Sequence, residues 1–200
     1  MEFADVLHRR RMCRSFTTDP LPRSTLDGLL SACLHVPSAG HSQGRHLLVL
    51  HGRREVARYF DATLPDRSGF PWPGLLNAAA LVVFCSDASA YQRRYAEPDK
   101  DFADGSLNHW GAPMWHIDTA FCVMTLLLAA TNAGLGALFF GIFPAQLDAV
   151  RREFSVPQHL HPIGTVALGT PADDVRPSHS VGRGWKPLDE LTTWGGWGHD

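Results

Sequence analysis

An uncharged run spanning residues 119–143 limits most strongly what this chain can fold into. A run of that length could cross a membrane. However, the tripeptide Asn132-Ala133-Gly134 interrupts it, and glycine adopts the left-handed conformation that ends helices. We therefore predict a buried helix over residues 116–133, a turn, and a buried strand over 135–142, and no membrane span.

Apolar spacing and end signals predict the remaining elements. No regular strand–helix–strand alternation emerges, which favours an α+β fold, with helices packed around one sheet in a single domain over residues 1–200. The polar segment 86–115 is predicted to be a lid or long loop, and residues 170–200 an extended tail. The predicted helices cover residues 3–11, 24–35, 54–62 and 145–154, and the predicted strands cover 46–52, 80–85 and 163–169.

Composition argues against nucleic acid and anionic membranes as partners. The chain is 44% hydrophobic with a formal net charge of −2, so no global attraction draws it to nucleic acid or to an anionic membrane. Its 11 Phe and six Trp residues provide flat apolar surfaces that suit flat ligands or a subunit interface.

The cysteines indicate a reducing compartment. The four are not spaced as CxxC pairs and lie mostly in apolar surroundings, which is typical of buried free thiols and not of disulfides or metal ligands. The first residues contain acidic side chains and no apolar core, so no secretory signal peptide is expected there. We expect a cytoplasmic protein. The cysteines are Cys13, Cys33, Cys85 and Cys122.

Four segments could contact a ligand. Arg10 and Arg14, four residues apart, can converge on a phosphate. The segment 37–44 (PSAGHSQG) has small residues that allow close backbone approach, and hydroxyl and amide groups for hydrogen bonding. The glycines of segment 134–141 (GLGALFFG) follow a helix and open a strand, unlike a dinucleotide fingerprint. Segment 182–190 (GRGWKPLDE) provides a second cationic pair.

In this order, the four segments resemble the FMN-dependent nitroreductase superfamily over nearly the whole chain. That family has a basic R-R-S-x-R pattern after its first helix, where this chain has RRMCR at residues 10–14. A P-S-x-x-N-x-Q-P loop then leads into a strand, and a long apolar helix, a G-L-G strand and a P-x-G-x-x-x-x-G strand follow. A basic tail comes before K-P-L-x-E, matched here by residues 186–190.

The resemblance implies a set of FMN contacts. Basic residues of the first helix and the tail would hold the phosphate, and the P-S loop, usually from the partner subunit, would contact the ring and ribityl chain. Backbone groups after G-L-G would lie near the reactive edge of the flavin. The implied cofactor-binding residues are Arg10, Arg11, Arg14, Pro37, Ser38, Ala39, His41, Gln43, Phe140, Gly141, Arg183 and Lys186.

Three departures from the family pattern alter expected contacts. Met12 replaces a residue that is often serine, which removes a hydroxyl from the phosphate site. His41 replaces the usual asparagine and makes that contact sensitive to pH. Phe140 occupies a position that is glutamate in many members, so only a backbone contact survives there.

The resemblance also implies a fold and a reaction. The fold would be a mostly antiparallel sheet flanked by helices, in an intertwined homodimer with FMN at its interface. NADH or NADPH would reduce FMN, leave, and be replaced by a nitroaromatic, quinone or similar electron-poor acceptor. Trp194 and Trp197 would lie under the partner. Acceptor contacts are predicted for Trp110, Trp115, Tyr95 and Phe102.

Alternatives stay open. One is an oxygen-using flavin destructase of the dimethylbenzimidazole-forming type, whose first motif reads R-R-D-x-R, with Met12 here in place of that aspartate. Another is a non-catalytic flavin- or metal-binding protein, although none of the 11 His residues has the spacing of a zinc site. A deazaflavin donor and a specialised biosynthetic oxidation are further alternatives.

Overall fold

A strand of small, β-branched and apolar residues, Ala80–Asp87, forms the centre of the fold, since every residue in it is buried. Such a continuous buried run is typical of a strand covered on both faces. The computed structural model describes residues 1–100, 106–175 and 178–198. This part of the chain contains seven α-helices and four strands.

The elements follow in chain order. The helices are α1 (Phe3–Arg9), α2 (Arg23–Ser31), α3 (Arg53–Thr63), α4 (Ala88–Tyr95), α5 (Met114–Asn132), α6 (Pro144–Phe154) and α7 (Leu188–Leu191). The strands are β1 (Arg45–His51), β2 (Ala80–Asp87), β3 (Gly136–Phe140) and β4 (Leu160–Gly169).

The four strands form one antiparallel sheet in the order β1-β2-β4-β3. Arg45 of β1 is paired with Ser86 of β2, and Gly136 of β3 with Gly169 of β4. The chain after α1 runs beside β3 through a parallel bridge between Met12 and Ala137. This bridge places the basic segment, residues 10–14, at the β3 edge of the sheet.

Two apolar clusters cover the two faces of the sheet. α5 and α2 pack on one face, where Leu126 and Val82 are fully buried. α3 and α6 pack on the other, where Tyr59 and Val83 are buried. α5 has the length and composition of a membrane span. Here, however, it packs against the sheet, with seven buried positions: Asp118, Thr119, Cys122, Val123, Leu126, Leu127 and Ala130.

The structure confirms the α+β class, the antiparallel sheet and the predicted helix–turn–strand succession. The uncharged run forms α5 and β3, each within two residues of the predicted bounds. The four cysteines are free and buried, as predicted.

The prediction of a lid or loop over residues 86–115 was wrong in part. Residues 88–95 form α4, which begins where the buried Asp87 carboxylate accepts a hydrogen bond of 2.9 Å from Ser89 N. Asp87 itself belongs to β2, and α5 begins at Met114. An aspartate cap at the end of a strand starts a helix despite the polar composition that follows.

Candidate functional site

The basic segment directs one arginine into an aromatic cavity. The Cys13 amide donates to the Ala137 carbonyl at 2.9 Å, which fixes the segment against β3. The half-buried Arg14 guanidinium lies over the Trp72 ring, 5.3 Å from its centroid. In the described residues, no carboxylate lies within ion-pair distance of Arg14, whose one hydrogen bond goes to the Met12 carbonyl at 3.4 Å. Its charge is therefore free for an anionic ligand.

The cavity beside Arg14 has a volume of about 310 Å³, and half of the residues that line it are aromatic. Phe140 and Gly141, at the end of β3, line it together with Arg14. Phe140 stacks on Phe60 with centroids 6.5 Å apart. Three predicted cofactor residues thus share one cavity, which suits a flat ring system with an anionic group.

The polar groups in the wall are already hydrogen bonded. The Tyr59 hydroxyl pairs with the Thr165 hydroxyl at 2.8 Å, and burial raises the pKa of Tyr59 to about 12. The Gln146 amide donates to the Thr63 carbonyl at 2.6 Å. Arg14 is therefore the charged group that this cavity presents to a ligand.

The other arginines of the segment point elsewhere. Arg11 is exposed, and its guanidinium donates to the carbonyls of His8 and Arg10. It lines a separate cavity of about 280 Å³. Arg10 is half-buried and lines neither cavity. Of the predicted phosphate ligands, Arg14 alone has been brought to the aromatic cavity.

The backbone of the P-S loop (residues 37–44) has conformations that few residues other than glycine adopt. Gly40, His41 and Gln43 have φ angles of 59°, 57° and 51°. Residues other than glycine rarely adopt such values, and clustered strain is common at ligand sites. The Gln43 and His41 side chains contact each other at 2.9 Å.

A buried carboxylate that the sequence analysis did not assign holds this loop. Asp118, 3% exposed on α5, accepts hydrogen bonds from the Ala39 amide at 2.7 Å and the Tyr91 hydroxyl at 2.6 Å. Burial and the Asp118 carboxylate raise the pKa of Tyr91. The one sequence signal that could have identified Asp118 is its position as an acidic residue just before the uncharged run 119–143.

The P-S loop and the basic segment lie at opposite corners of the sheet. The loop leads into Arg45 at one end of edge strand β1, whereas Met12 is paired with Ala137 near the start of edge strand β3. The strand pairings place Ala137 of β3 level with Ala80 of β2 and His51 of β1. His51 in turn lies six residues from Arg45 along β1. The strand spacings give a separation of about 14 Å across the sheet and about 20 Å along it.

The predicted aromatic contacts lie beside the P-S loop. The Tyr95 and Trp110 rings meet edge to face with centroids 5.0 Å apart. A Cβ added at Gly40 would lie 2.9 Å from the Tyr95 ring, so these two residues are tightly packed. Trp115 contacts Tyr91 edge to face at 6.3 Å. The predicted contact Phe102 lies outside the described residues.

The tail is exposed from residue 181 to residue 198. Arg183 and Lys186 line neither cavity, and Lys186 pairs instead with Glu190 at 3.8 Å. Trp194 and Trp197 are 92% and 88% exposed. Within one chain, the tail cations are thus not brought to Arg14.

Known proteins with a similar sequence carry oxidoreductase names. A Methanothermobacter thermautotrophicus protein, named as an NADH dehydrogenase/NAD(P)H nitroreductase, is 25% identical over 177 residues, covering 87% of this chain and 80% of its own length. An oxygen-insensitive NADPH nitroreductase of Salmonella typhimurium is 24% identical over 175 residues, covering 86% and 68%.

Solved structures share the fold. A nitroreductase family protein from Clostridium difficile superimposes with a TM-score of 0.74 at 20% identity, covering 98% of this chain and 99% of that one. The NfrA1 nitroreductase of Bacillus subtilis gives 0.77 at 18% identity, covering 100% and 76%.

The family model described as "Nitroreductase family" matches residues 7–70 and 64–170 of this chain. These stretches include the basic segment, the P-S loop, α5 and all four strands. The chain belongs to the nitroreductase family.

Proposed function

We propose that this protein is an FMN-dependent oxidoreductase that uses NADH or NADPH to reduce a nitroaromatic, a quinone or a similar electron-poor acceptor. The observation that carries the proposal is the shared cavity of Arg14, Phe140 and Gly141. Membership of the nitroreductase family and the NAD(P)H nitroreductase names of its relatives support the same reaction class.

The cavity residues fit a flavin. Aromatic walls suit its ring system, and the Arg14 guanidinium suits its phosphate or an electron-rich ring oxygen. Phe140 and Gly141 line the same space, and we propose that backbone groups there contact the ring edge. When bound, FMN would accept a hydride from the nicotinamide and pass electrons to the acceptor, while the protein supplies binding and orientation.

The site as proposed is completed by a second copy of the chain. One flavin would have to meet both Arg14 and the P-S loop. Within one chain, however, Met12, two residues before Arg14, and Arg45, which follows the loop, are about 20 Å apart along the sheet and about 14 Å across it. In a homodimer, the partner's P-S loop can approach the Arg14 cavity. The exposed apolar side chains Phe121 and Met124 on α5, and Trp194 and Trp197 in the tail, suit such an interface.

The partner's Tyr95, Trp110 and Trp115 would accompany its P-S loop to the cavity. Tyr95 packs on Gly40 and contacts Trp110, while Trp115 contacts Tyr91, which lies against Gly44. Their rings would form an apolar wall for the acceptor. Such a wall favours flat aromatic acceptors over small charged ones.

The test is spectroscopic. The purified protein is expected to be yellow or to take up FMN one per chain, and NADH or NADPH should bleach it without air. Nitroaromatics or quinones should restore the colour. A chain that binds no FMN would refute the proposal, and loss of the flavin itself during reoxidation by oxygen would favour the destructase reaction.

A variant tests the cavity directly. Arg14→Ala should weaken FMN binding at least tenfold, because a charge-assisted hydrogen bond contributes about 1.5–3 kcal/mol. Arg54→Ala, an exposed arginine of α3, is the matched control and should bind as the unchanged protein does. Equal affinities of the two variants would remove Arg14 from the site.

A further inference from the structure

We infer that Asp118 is a positioning residue that holds the P-S loop in its flavin-binding shape. The inference rests on the proposed function, since it concerns how the loop meets the flavin. Asp118 itself is buried behind the loop, and it touches the loop backbone and not the cavity.

The geometry gives the Asp118 carboxylate two donors at one oxygen. Oδ2 accepts from the Ala39 amide at 2.7 Å and from the Tyr91 hydroxyl at 2.6 Å. Both distances are short, as expected for hydrogen bonds to an ionised acceptor. An asparagine oxygen in this place could accept from both donors, but without the negative charge that strengthens both hydrogen bonds.

A second contact holds the loop one residue further on. The Arg94 guanidinium donates to the Gly40 carbonyl at 2.8 Å. Arg94 is held in turn by Asp99 at 2.7 Å and Glu97 at 2.9 Å. A cation on α4 and a carboxylate on α5 therefore fix two backbone groups of neighbouring residues.

The loop needs such contacts because its own backbone conformation is unfavourable. His41 and Gln43 are both left-handed, and Gly40 between Ala39 and His41 is left-handed too. Two non-glycine residues with this conformation in one short segment persist only where their surroundings over-determine them. Asp118 and Arg94 provide that constraint from outside the loop.

The same bonds decide which loop groups can face a ligand. Ala39 uses its amide on Asp118 and its carbonyl on the Ser42 amide and hydroxyl. The Ser38 oxygen accepts from the Gln43 amide at 3.0 Å. The Ser38 hydroxyl hydrogen has no acceptor in the described residues, so Ser38 can donate to the flavin, whereas the Ala39 amide is used by Asp118.

The test compares Asp118→Asn with Asp148→Asn, an exposed aspartate of α6. In the flavin-free protein, amide hydrogen exchange at Ala39 should be at least tenfold faster in Asp118→Asn and unchanged in the control. FMN binding should be about tenfold to a hundredfold weaker in Asp118→Asn alone. Tyr91→Phe, which leaves the Ala39 bond, should lie within about threefold of the unchanged protein.

Two outcomes would overturn the inference: exchange at Ala39 that Asp118→Asn leaves unchanged, or full FMN affinity after that protection is lost. If the unchanged protein binds no FMN, the proposed function fails, yet the exchange measurement still decides whether Asp118 holds the loop. If Asp118→Asn does not fold, hydrogen exchange at the Ala39 amide of the unchanged protein decides: it should be strongly protected, and exchange at the rate of an unfolded chain contradicts the inference.

Discussion

At the scale of single residues, Gly44 shows how a missing side chain shapes the site. It follows the strained part of the P-S loop, and its carbonyl accepts from the Asp87 amide at 2.9 Å. A Cβ there would lie 2.6 Å from the Asp87 carbonyl oxygen and 2.7 Å from the Tyr91 ring. A side chain at position 44 would have no space, since the chain just before β1 approaches the start of α4 closely. The related family pattern has proline at this position, and a proline ring would also need this space.

Gly44→Ala should therefore lower the free energy of unfolding by about 1–3 kcal/mol, as overpacking does. Gly28→Ala is the matched control, because Gly28 lies within α2 with nothing near its Cβ position. It should raise stability by about 0.5–1 kcal/mol, since alanine favours helix. Urea unfolding curves measure both, and shifts of the same sign would contradict the close approach.

Asp87 predicts a pH dependence. Burial by itself would raise its pKa, but the hydrogen bonds from Ser89 and Arg93 outweigh it, and the pKa lies below the ordinary value. The ionised form therefore stabilises the fold above the unfolded pKa of about 3.9, and this contribution is lost as the pH falls through the folded pKa. Asp87→Asn should lower stability by about 1–2 kcal/mol at pH 7.

The measurement is urea unfolding between pH 3 and pH 7. The difference between Asp87→Asn and the unchanged protein should shrink below about pH 4. A constant difference across that range would show that the Asp87 charge does not contribute. Asp148→Asn on α6 serves as the control for the loss of a surface charge.

At the scale of elements, α5 serves the core and the site at once. One face buries Leu126 and Cys122 against the sheet, and the first turns of the same helix bring Asp118 to the P-S loop. Its other face leaves Phe121 45% and Met124 41% exposed. A helix that is apolar all round is expected to be covered on every side, so the exposed side chains indicate a second contact.

Phe121→Arg should therefore convert the proposed dimer to monomers. Placing a guanidinium in an apolar interface costs several kcal/mol unless it is paired. Sedimentation equilibrium measures the mass, and Asp148→Arg on α6 is the control. FMN affinity should fall together with dimerisation, since the P-S loop would come from the partner. A Phe121→Arg dimer of unchanged affinity would exclude this face of α5 from the interface.

Local sequence patterns predicted α5 and β3 but not α4. The predicted bounds of α5 and β3 hold within two residues because apolar periodicity and a glycine stop act over a few residues. α4 was missed because its sequence is polar and its start depends on Asp87 at the end of a buried strand. The capping hydrogen bond is local, but whether the residues after Asp87 form a helix or a loop depends on how they pack against the rest of the chain.

At the scale of the whole molecule, the tail first packs on its own chain, where Val175 contacts the apolar cluster of α3 and α6, and then becomes exposed. All residues of the stretch 181–198 are exposed, and Trp194 and Trp197 are the most exposed of its large side chains together with Trp185. Large aromatic rings left in water are typical of surfaces that a partner covers. The tail also carries Arg183 and Lys186, which line neither cavity in a single chain.

The double variant Trp194→Ser/Trp197→Ser should weaken the proposed dimer at least tenfold, as the loss of two buried aromatic side chains would. The stability of each chain should change little, since both rings are exposed within it. Dimer dissociation measured by dilution checks the first expectation, and urea unfolding of the dilute monomer checks the second. Unchanged dissociation would leave the tail without a role in assembly.

The sequence by itself determined the local succession of elements around the uncharged run, the buried free thiols and the order of the motifs that resemble the family. These depend on spacings of a few residues. Only the tertiary structure decided that Arg14 shares a cavity with Phe140, that the P-S loop lies at the opposite corner of the sheet, and that Asp118 binds Ala39 from 79 residues away. The physical reason is that these contacts depend on the strand order β1-β2-β4-β3, which local periodicity does not specify.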